Sequence, residues 1–419
     1  MKVLILGINY APERVGIAVY TTSMARALVR AGHEVSVVTA QPYYPGWAIM
    51  DDYRQRYSRS REDGVDILRC PLYVPRNPTG ARRLVHHASF AATTFIPTIA
   101  AALRQKPDIV FTPAPSLIAA PVARFAAWLS GAKSWVHVQD FEVEAAFATG
   151  LLQPKGRIAR LAAWFERSVL RSFHQTSSIS PQMCAKLIEK GVPPAKVVEF
   201  RNSGDLHSVK PLSGPSPYRA EWNITTPHVA LYSGNIANKQ GIEIVIDAAR
   251  RLAHRKDLSF VVCGEGPNRA NLQALAAGLD NIQFHDLQPK ERIGDLVGLA
   301  SIHLLPQLAG AADLVLPSKL INMLASGRPV VATAAHGTGL ALEVEGCGLV
   351  TPPGDGAAFA DGIAQLLDDA ALYSSAATAA RARAEERWAQ DTILARLVRQ
   401  FEALAKGSQP DAGIKLTSS

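Results

Sequence analysis

Two lysines, each set among glycines and helix-starting residues, carry the most chemistry in this 419-residue sequence. The first lies in Asp313-Leu314-Val315-Leu316-Pro317-Ser318-Lys319-Leu320-Ile321-Asn322, which runs on through Met323-Leu324-Ala325-Ser326-Gly327-Arg328-Pro329-Val330. Pro317 suits the first turn of a helix and Gly327 its C-terminal stop, so a short helix is predicted between them, leading into a strand at Val330. Such a helix turns backbone amides and the positive end of its dipole outward, and Lys319 in its first turn adds a mobile cation. That combination suits a diphosphate, although an ordinary capped structural helix would use the same residues. The second lysine, Lys239, closes Ser233-Gly234-Asn235-Ile236-Ala237-Asn238-Lys239-Gln240-Gly241, directly after the apolar run Val229 to Ser233. In open α/β sheets ligands bind beyond the carboxyl ends of strands, where this loop would lie. By itself a loop lysine is as readily a solvated one.

Weaker signals accompany these two. Gly264-Glu265-Gly266-Pro267 is a short glycine turn after another apolar run. Tyr10-Ala11-Pro12-Glu13-Arg14-Val15-Gly16-Ile17 closes the first strand-to-helix turn, with Gly16 where backbone could approach a ligand closely. Its spacing is not that of a dinucleotide fingerprint. His137-Val138-Gln139-Asp140-Phe141-Glu142 ends a further strand. The lone His137 reads as a core residue, whereas Asp140 and Glu142 are either site carboxylates or helix caps.

The elements that must position these residues alternate regularly. A strand from Lys2 to Gly7, a loop to Gly16, a helix to about Ala31 and a strand from Val35 to Thr39 make a βαβ unit, the mark of a parallel sheet. Further strands are expected at 66–69, 109–112, 134–139 and 175–179. After the Pro/Gly/Ser cluster Pro211 to Pro217, read as an interdomain linker, the pattern restarts. A strand at 229–233, a helix at 242–253, a strand at 258–263 and strands near Ile282, Ile302 and Val330 follow. The fold class is therefore α/β with two Rossmann-like domains, 1–210 and 211–385. One amphipathic helix over about 381–404 is expected to return to the first domain as segment 386–405, ahead of a frayed tail, 406–419.

The motifs resemble glycosyltransferase family 4, whose donor-binding helix carries two spaced glutamates, the second followed by Ala-Met-Ala-x-Gly-x-Pro-Val. Met323 to Val330 matches the tail of that signature. Asn322 stands where the second glutamate belongs, and Asp313 lies beside the position of the first. The Ser233–Gly241 loop resembles the family's Gly-Arg-…-Lys-Gly loop, with Asn235 replacing the arginine. Gly7 to Glu13, Pro42 to Pro45, Cys70 to Pro75 and Gly310 to Asp313 are similar to the bacterial colanic-acid-type exopolysaccharide enzymes, a group that also carries Asn at the position of Asn322. The resemblance implies the GT-B architecture, with two parallel-sheet domains facing across a cleft, the second binding the nucleotide and the first presenting the acceptor. It implies retaining transfer of a hexose or deoxyhexose from a GDP- or UDP-sugar to an undecaprenyl-diphosphate-linked glycan. Lys239, Lys319 and Asp140 become the catalytic candidates. Gly16, Gly234, Asn235, Gly264, Glu265, Asp313, Pro317, Ser318, Leu320 and Asn322 become the donor-binding ones. No cofactor and no metal are expected, since no convincing Asp-x-Asp carboxylate pair is present.

Composition bounds the alternatives. Hydrophobic residues at 48% and charged residues at 19% describe a well-filled globular protein. Cys70, Cys184, Cys263 and Cys347 are scattered without pairing motifs, which fits a reducing cytoplasm better than a disulfide framework or a zinc site. No stretch approaches the roughly 20 apolar residues of a membrane span, and the N-terminus lacks the features of a signal peptide. Residues 1–210 hold 26 Lys/Arg against 15 Asp/Glu, and residues 211–419 hold 18 against 21, so the net charge of +8 comes from the first half. Arg54, Arg56, Arg59, Arg82 and Arg83 mark the expected contact with an anionic membrane surface, peripheral and on its cytoplasmic side. Nucleic acid is disfavoured because no recognition motif accompanies the charge. A nucleotide-sugar epimerase of the same architecture and an idle sugar-nucleotide-binding scaffold are the rival functions.

Overall fold

Runs of apolar, mostly branched residues alternate with helices along the chain, and they assemble two sheets in separate compact units. The computed structural model describes residues 1–14, 16–143, 156–204, 206, 208–236, 240–308 and 317–408. One unit comprises Met1–Asn202 with Ile393–Ser419, the other Ser203–Thr392.

In the first unit the strands are β1 (Lys2–Leu6), β2 (Glu34–Ala40), β3 (Ser58–Glu62), β4 (Val65–Cys70), β5 (Ile109–Ala114), β6 (Lys133–Val138), β7 (Gln175–Ser178) and β8 (Val197–Glu199). They lie in the order β3-β4-β2-β1-β5-β6-β7-β8, parallel throughout except that β3 runs antiparallel to β4. The order reverses between β1 and β5, the place where such sheets open for ligands. The helices are α1 (Ile17–Arg30), α2 (Gly80–Gln105), α3 (Ala120–Ser130), α4 (Arg157–Ser172) and α5 (Pro181–Glu189). Alternation along β1 assigns them to faces: Val3 and Ile5 join the core beneath Met24 and Leu28 of α1, and Leu4 and Leu6 join the core beneath Phe90 of α2 and Ala123 of α3. Helix α1 begins at Gly16, whose φ of 64° is one that few other residues adopt, and buries Ile17, Thr21, Met24, Ala25 and Leu28 at helical spacing.

The second unit holds β9 (His228–Ser233), β10 (Leu258–Cys263), β11 (Ile282–His285), β12 (Ile302–Leu305), β13 (Val330–Thr333) and β14 (Gly348–Thr351) in the order β11-β10-β9-β12-β13-β14, all parallel. Its helices are α6 (Tyr218–Glu221), α7 (Glu243–Arg251), α8 (Arg269–Leu275), α9 (Ile293–Gly298), α10 (Lys319–Ala325), α11 (Gly339–Val344), α12 (Gly356–Asp368) and α13 (Ala370–Trp388). A last helix, α14 (Gln390–Ala405), follows.

Three expectations about organisation are corrected. The boundary falls at Ser203 rather than after residue 210, because Leu206 and Val209 are buried in the second unit's core and Gly294 leaves room for the Ser208 carbonyl. Pro211 to Pro217 is accordingly packed into that unit, not a free linker: the Ser216 hydroxyl donates to the Asp295 carbonyl at 2.7 Å and Gly298 leaves room for Leu212. The single helix expected over 381–404 is two helices. The chain turns extended at Ala389, where the Gly204 amide donates to the Trp388 carbonyl at 2.9 Å. Helix α13 buries Ala380, Ala384 and Trp388 in the second unit, and α14 buries Ile393, Leu397 and Phe401 against β1 and β5 of the first.

Candidate active site

The switch point of the second sheet lies between β9 and β12. Beyond the ends of β9 and β10 the two glycine loops lie backbone against backbone. Gly234 has φ 138° and Gly264 φ 150°, and a Cβ added at Gly264 would stand 1.9 Å from the Gly234 carbonyl oxygen. One added at Gly266 would stand 2.3 Å from the Ile236 carbonyl oxygen. The Gly234 amide donates to the Cys263 carbonyl at 3.0 Å, and the Ile236 amide to the Glu265 carbonyl at 2.8 Å. The first glycines of the two loops are thus explained locally by close backbone approach, and Gly264 is fully enclosed. The side chains of Asn235 and Glu265 stand exposed at the loop tips.

Above Gly234 sits the side chain of Lys319, the first residue of α10. Its Nζ is 4.1 Å from the centre of the Tyr232 ring and 3.6 Å from where a Cβ on Gly234 would be. The nitrogen is sealed from solvent, and no described residue hydrogen-bonds to it. Burial lowers its pKa from the ordinary 10.5 to about 7. The Tyr232 hydroxyl donates to the Asn235 carbonyl at 2.7 Å, which fixes the ring and the loop together. Tyr232 was not singled out from sequence, because only the return of α10 over β9 gives it a role. Beneath α10 the buried His303 ring lies 2.9 Å from the Ser326 hydroxyl, and burial lowers its pKa to about 3, so this imidazole is neutral.

The helix is shorter than the motif suggested. It spans Lys319–Ala325, with Ser318 exposed at the N-cap position and Pro317 half-buried just before it. The Leu320 side chain is buried in the core, and its amide donates to the Pro317 carbonyl at 2.9 Å, so that amide is already occupied. Asn322 is half-buried on the helix. Lys239 and Asp313 lie outside the described residues.

The first unit gathers the other candidates. Gly16 caps α1 beside Tyr44, and the Glu13 carboxylate accepts from the amides of Tyr43 and Tyr44 at 2.8 Å each and from the Asn9 amide nitrogen at 2.9 Å. The loop after β1 is thereby tied to the loop after β2. Of the two carboxylates after β6, Glu142 is a cap: it accepts from the amides of Ser116 and Leu117 at 2.5 and 2.8 Å. Asp140 is exposed. His137 is fully buried, 2.9 Å from the Ser177 hydroxyl, with its pKa lowered by burial to about 3; it is a core residue as read from sequence. Among the described residues no His, Cys, Asp and Glu side chains gather as a metal-binding group.

Comparison with known proteins decides the class. A model described as a glycosyl transferase 4-like domain matches residues 15–203, and one described as glycosyl transferases group 1 matches residues 227–369. The chain is 39% identical over 411 residues to the putative colanic acid biosynthesis glycosyl transferase WcaI of Escherichia coli, covering 96% of this chain and 98% of that protein. This chain is a family 4 glycosyltransferase. Solved structures agree on the GT-B fold. Sucrose-phosphate synthase from Thermosynechococcus elongatus superimposes with a TM-score of 0.68 at 18% identity, over 97% of this chain and 100% of that one. Anabaena Alr3699/HepE, solved with UDP and glucose, gives 0.64 at 16%, over 96% and 100%. For the transferase, the fold and the enzyme class expected from sequence both hold.

Proposed function

We propose that the transferase moves a hexose or deoxyhexose from a UDP- or GDP-sugar to an undecaprenyl-diphosphate-linked glycan during exopolysaccharide assembly. In this reading the anomeric configuration of the donor is retained and no metal takes part. The observation that carries it is Lys319: an ammonium sealed from water with no hydrogen-bonding partner among the described residues is unfavourable unless an anion is brought to it. A nucleoside diphosphate supplies that anion, and its arrival raises the lysine pKa again, so the charge is present when needed. Catalysis is then electrostatic, aimed at charge that builds on the departing diphosphate, with Lys239 as the second cation. Supporting the donor class, HepE was solved with UDP and with UDP-glucose. Supporting the pathway, WcaI is named for colanic acid biosynthesis. Such an acceptor is membrane-borne, which places the enzyme at the inner face of the cytoplasmic membrane.

The test is a panel of UDP- and GDP-sugars incubated with a lipid-linked diphosphate glycan, the lipid fraction being read by mass spectrometry. Gain of one sugar residue with release of nucleoside diphosphate supports the reading. Free sugar-nucleotide isomers, or binding without turnover, would overturn it.

A further inference from the structure

Three neighbouring helices of the first unit, α2, α3 and α4, cover one face of its sheet, as their shared cores with β1, β5 and β6 show. They adjoin directly: Phe95 of α2 stacks on Phe125 of α3, which stacks on Trp128, and Arg124 of α3 donates to the Ser172 carbonyl at the end of α4. Their outward surface is unusual in two ways. It is rich in large apolar side chains, with Ile96 75%, Trp128 64%, Ile158 71% and Trp164 64% exposed and Leu161 beside them. It is also charged with one sign only. The three helices contain eight arginines and a single acidic residue, Glu166, which is buried and paired with Lys190 at 2.5 Å. Large apolar side chains exposed on three adjoining helices mark an interaction surface.

We propose that this α2–α3–α4 face is where the enzyme docks on an anionic lipid bilayer, with Trp128, Ile158, Leu161 and Trp164 entering the headgroup boundary and the arginines pairing with lipid phosphates. The inference rests on the membrane-borne acceptor proposed above for its purpose, and it names the surface that meets that membrane. Amphipathic helices with aromatic and aliphatic residues amid arginines bind in the interface plane, and anionic lipid is the occupant with complementary charge. A second copy of the chain is disfavoured, since pairing through this face would set eight arginines against eight. The face differs from the arginine cluster expected from sequence. Arg82 and Arg83 belong to it, at the start of α2, but half of its arginines and two of its largest apolar groups sit on α4.

Vesicle co-sedimentation of the full chain tests this, with phosphatidylcholine vesicles and with phosphatidylcholine vesicles containing phosphatidylglycerol. Wild type should sediment with the anionic vesicles and far less with the neutral ones. The triple variant Ile158→Ser, Leu161→Ser, Trp164→Ser should bind anionic vesicles roughly ten-fold or more weakly, as expected for withdrawing three apolar groups from the interface. Arg157→Gln, Arg160→Gln, Arg167→Gln should markedly weaken the preference for anionic lipid, since three of the eight arginines are removed. All three changes in each variant are on exposed residues, so UDP or GDP binding by thermal shift should be unchanged and serves as the check on folding. Wild type that binds nucleotide but ignores vesicles overturns this inference and leaves the proposed function standing. Equal binding to both vesicle types, or a wild-type dimer that the α4 triple variant makes monomeric, also overturns it.

Discussion

Replacing Lys319 by methionine should make the protein more stable and the enzyme worse, and the size of the first effect follows from the site. The lysine pKa falls from 10.5 to about 7 on folding because burial disfavours the ammonium. Between those two values the unfolded chain binds more protons than the folded one, so wild-type stability rises with pH across that window. Linkage puts the cost of holding this residue in the fold at about 5 kcal/mol at pH 6, about 4 at pH 7 and about 2 at pH 9. The Tyr232 ring 4.1 Å away returns on the order of 1 kcal/mol to the charged form. Methionine keeps most of the apolar stem and removes the charge. Chemical denaturation of both proteins without nucleotide should therefore show Lys319→Met ahead by roughly 4 kcal/mol at pH 6, with the gap shrinking by about half at pH 9. Turnover should fall by about 100-fold, the usual scale for one lost transition-state charge contact. A methionine variant that is less stable than wild type, or whose advantage does not change with pH, would refute the view of Lys319 as a desolvated cation held for a ligand.

Gly264→Ala should destabilise the second unit by about 3 kcal/mol or more, combining a φ of 150° with a methyl 1.9 Å from the Gly234 oxygen, and thermal melting reads this directly. Because the displaced loop carries Gly234 beneath Lys319, nucleotide affinity should fall in the same variant. Lys239→Ala should lower turnover by about 100-fold with melting unchanged. Transfer should persist in excess EDTA, whereas loss restored by magnesium or manganese would require a metal in the donor site.

The parts of the fold legible in sequence are those where local signals agree. β1, α1, β9 and β10 stand out because unbroken apolar runs end at glycines and the following helix has a clear apolar stripe. β3 was missed because Ser-Arg-Ser-Arg-Glu has no apolar face: it is an antiparallel edge strand exposed along most of its length. Its arginines read instead as a charged surface. The break at Ala389 has no local signal, since alanine favours helix and the interruption comes from pairing with Gly204, far away in sequence. The site divides in the same way. Lys319 and the glycines stand out as candidates by type and spacing, but the reason for the glycines is loop against loop, and Tyr232 and His303 acquire their places only when α10 folds back over the sheet. Leu320 shows the limit of motif matching: its position aligns with a binding helix, while its side chain belongs to the core.

Calorimetric titration of UDP and of GDP into wild type and Lys319→Met, with EDTA present, at pH 7 and pH 9 and in buffers of differing ionisation enthalpy, bears most directly on the diphosphate site. Wild type should bind one of the two nucleotides, take up part of a proton at pH 7, and bind more weakly at pH 9, where the free lysine is neutral. The methionine variant should bind at least about ten-fold more weakly, with no lysine-linked proton uptake. Equal affinity in the two proteins, or wild-type binding without proton uptake at pH 7, would contradict the assignment of Lys319 to the donor diphosphate.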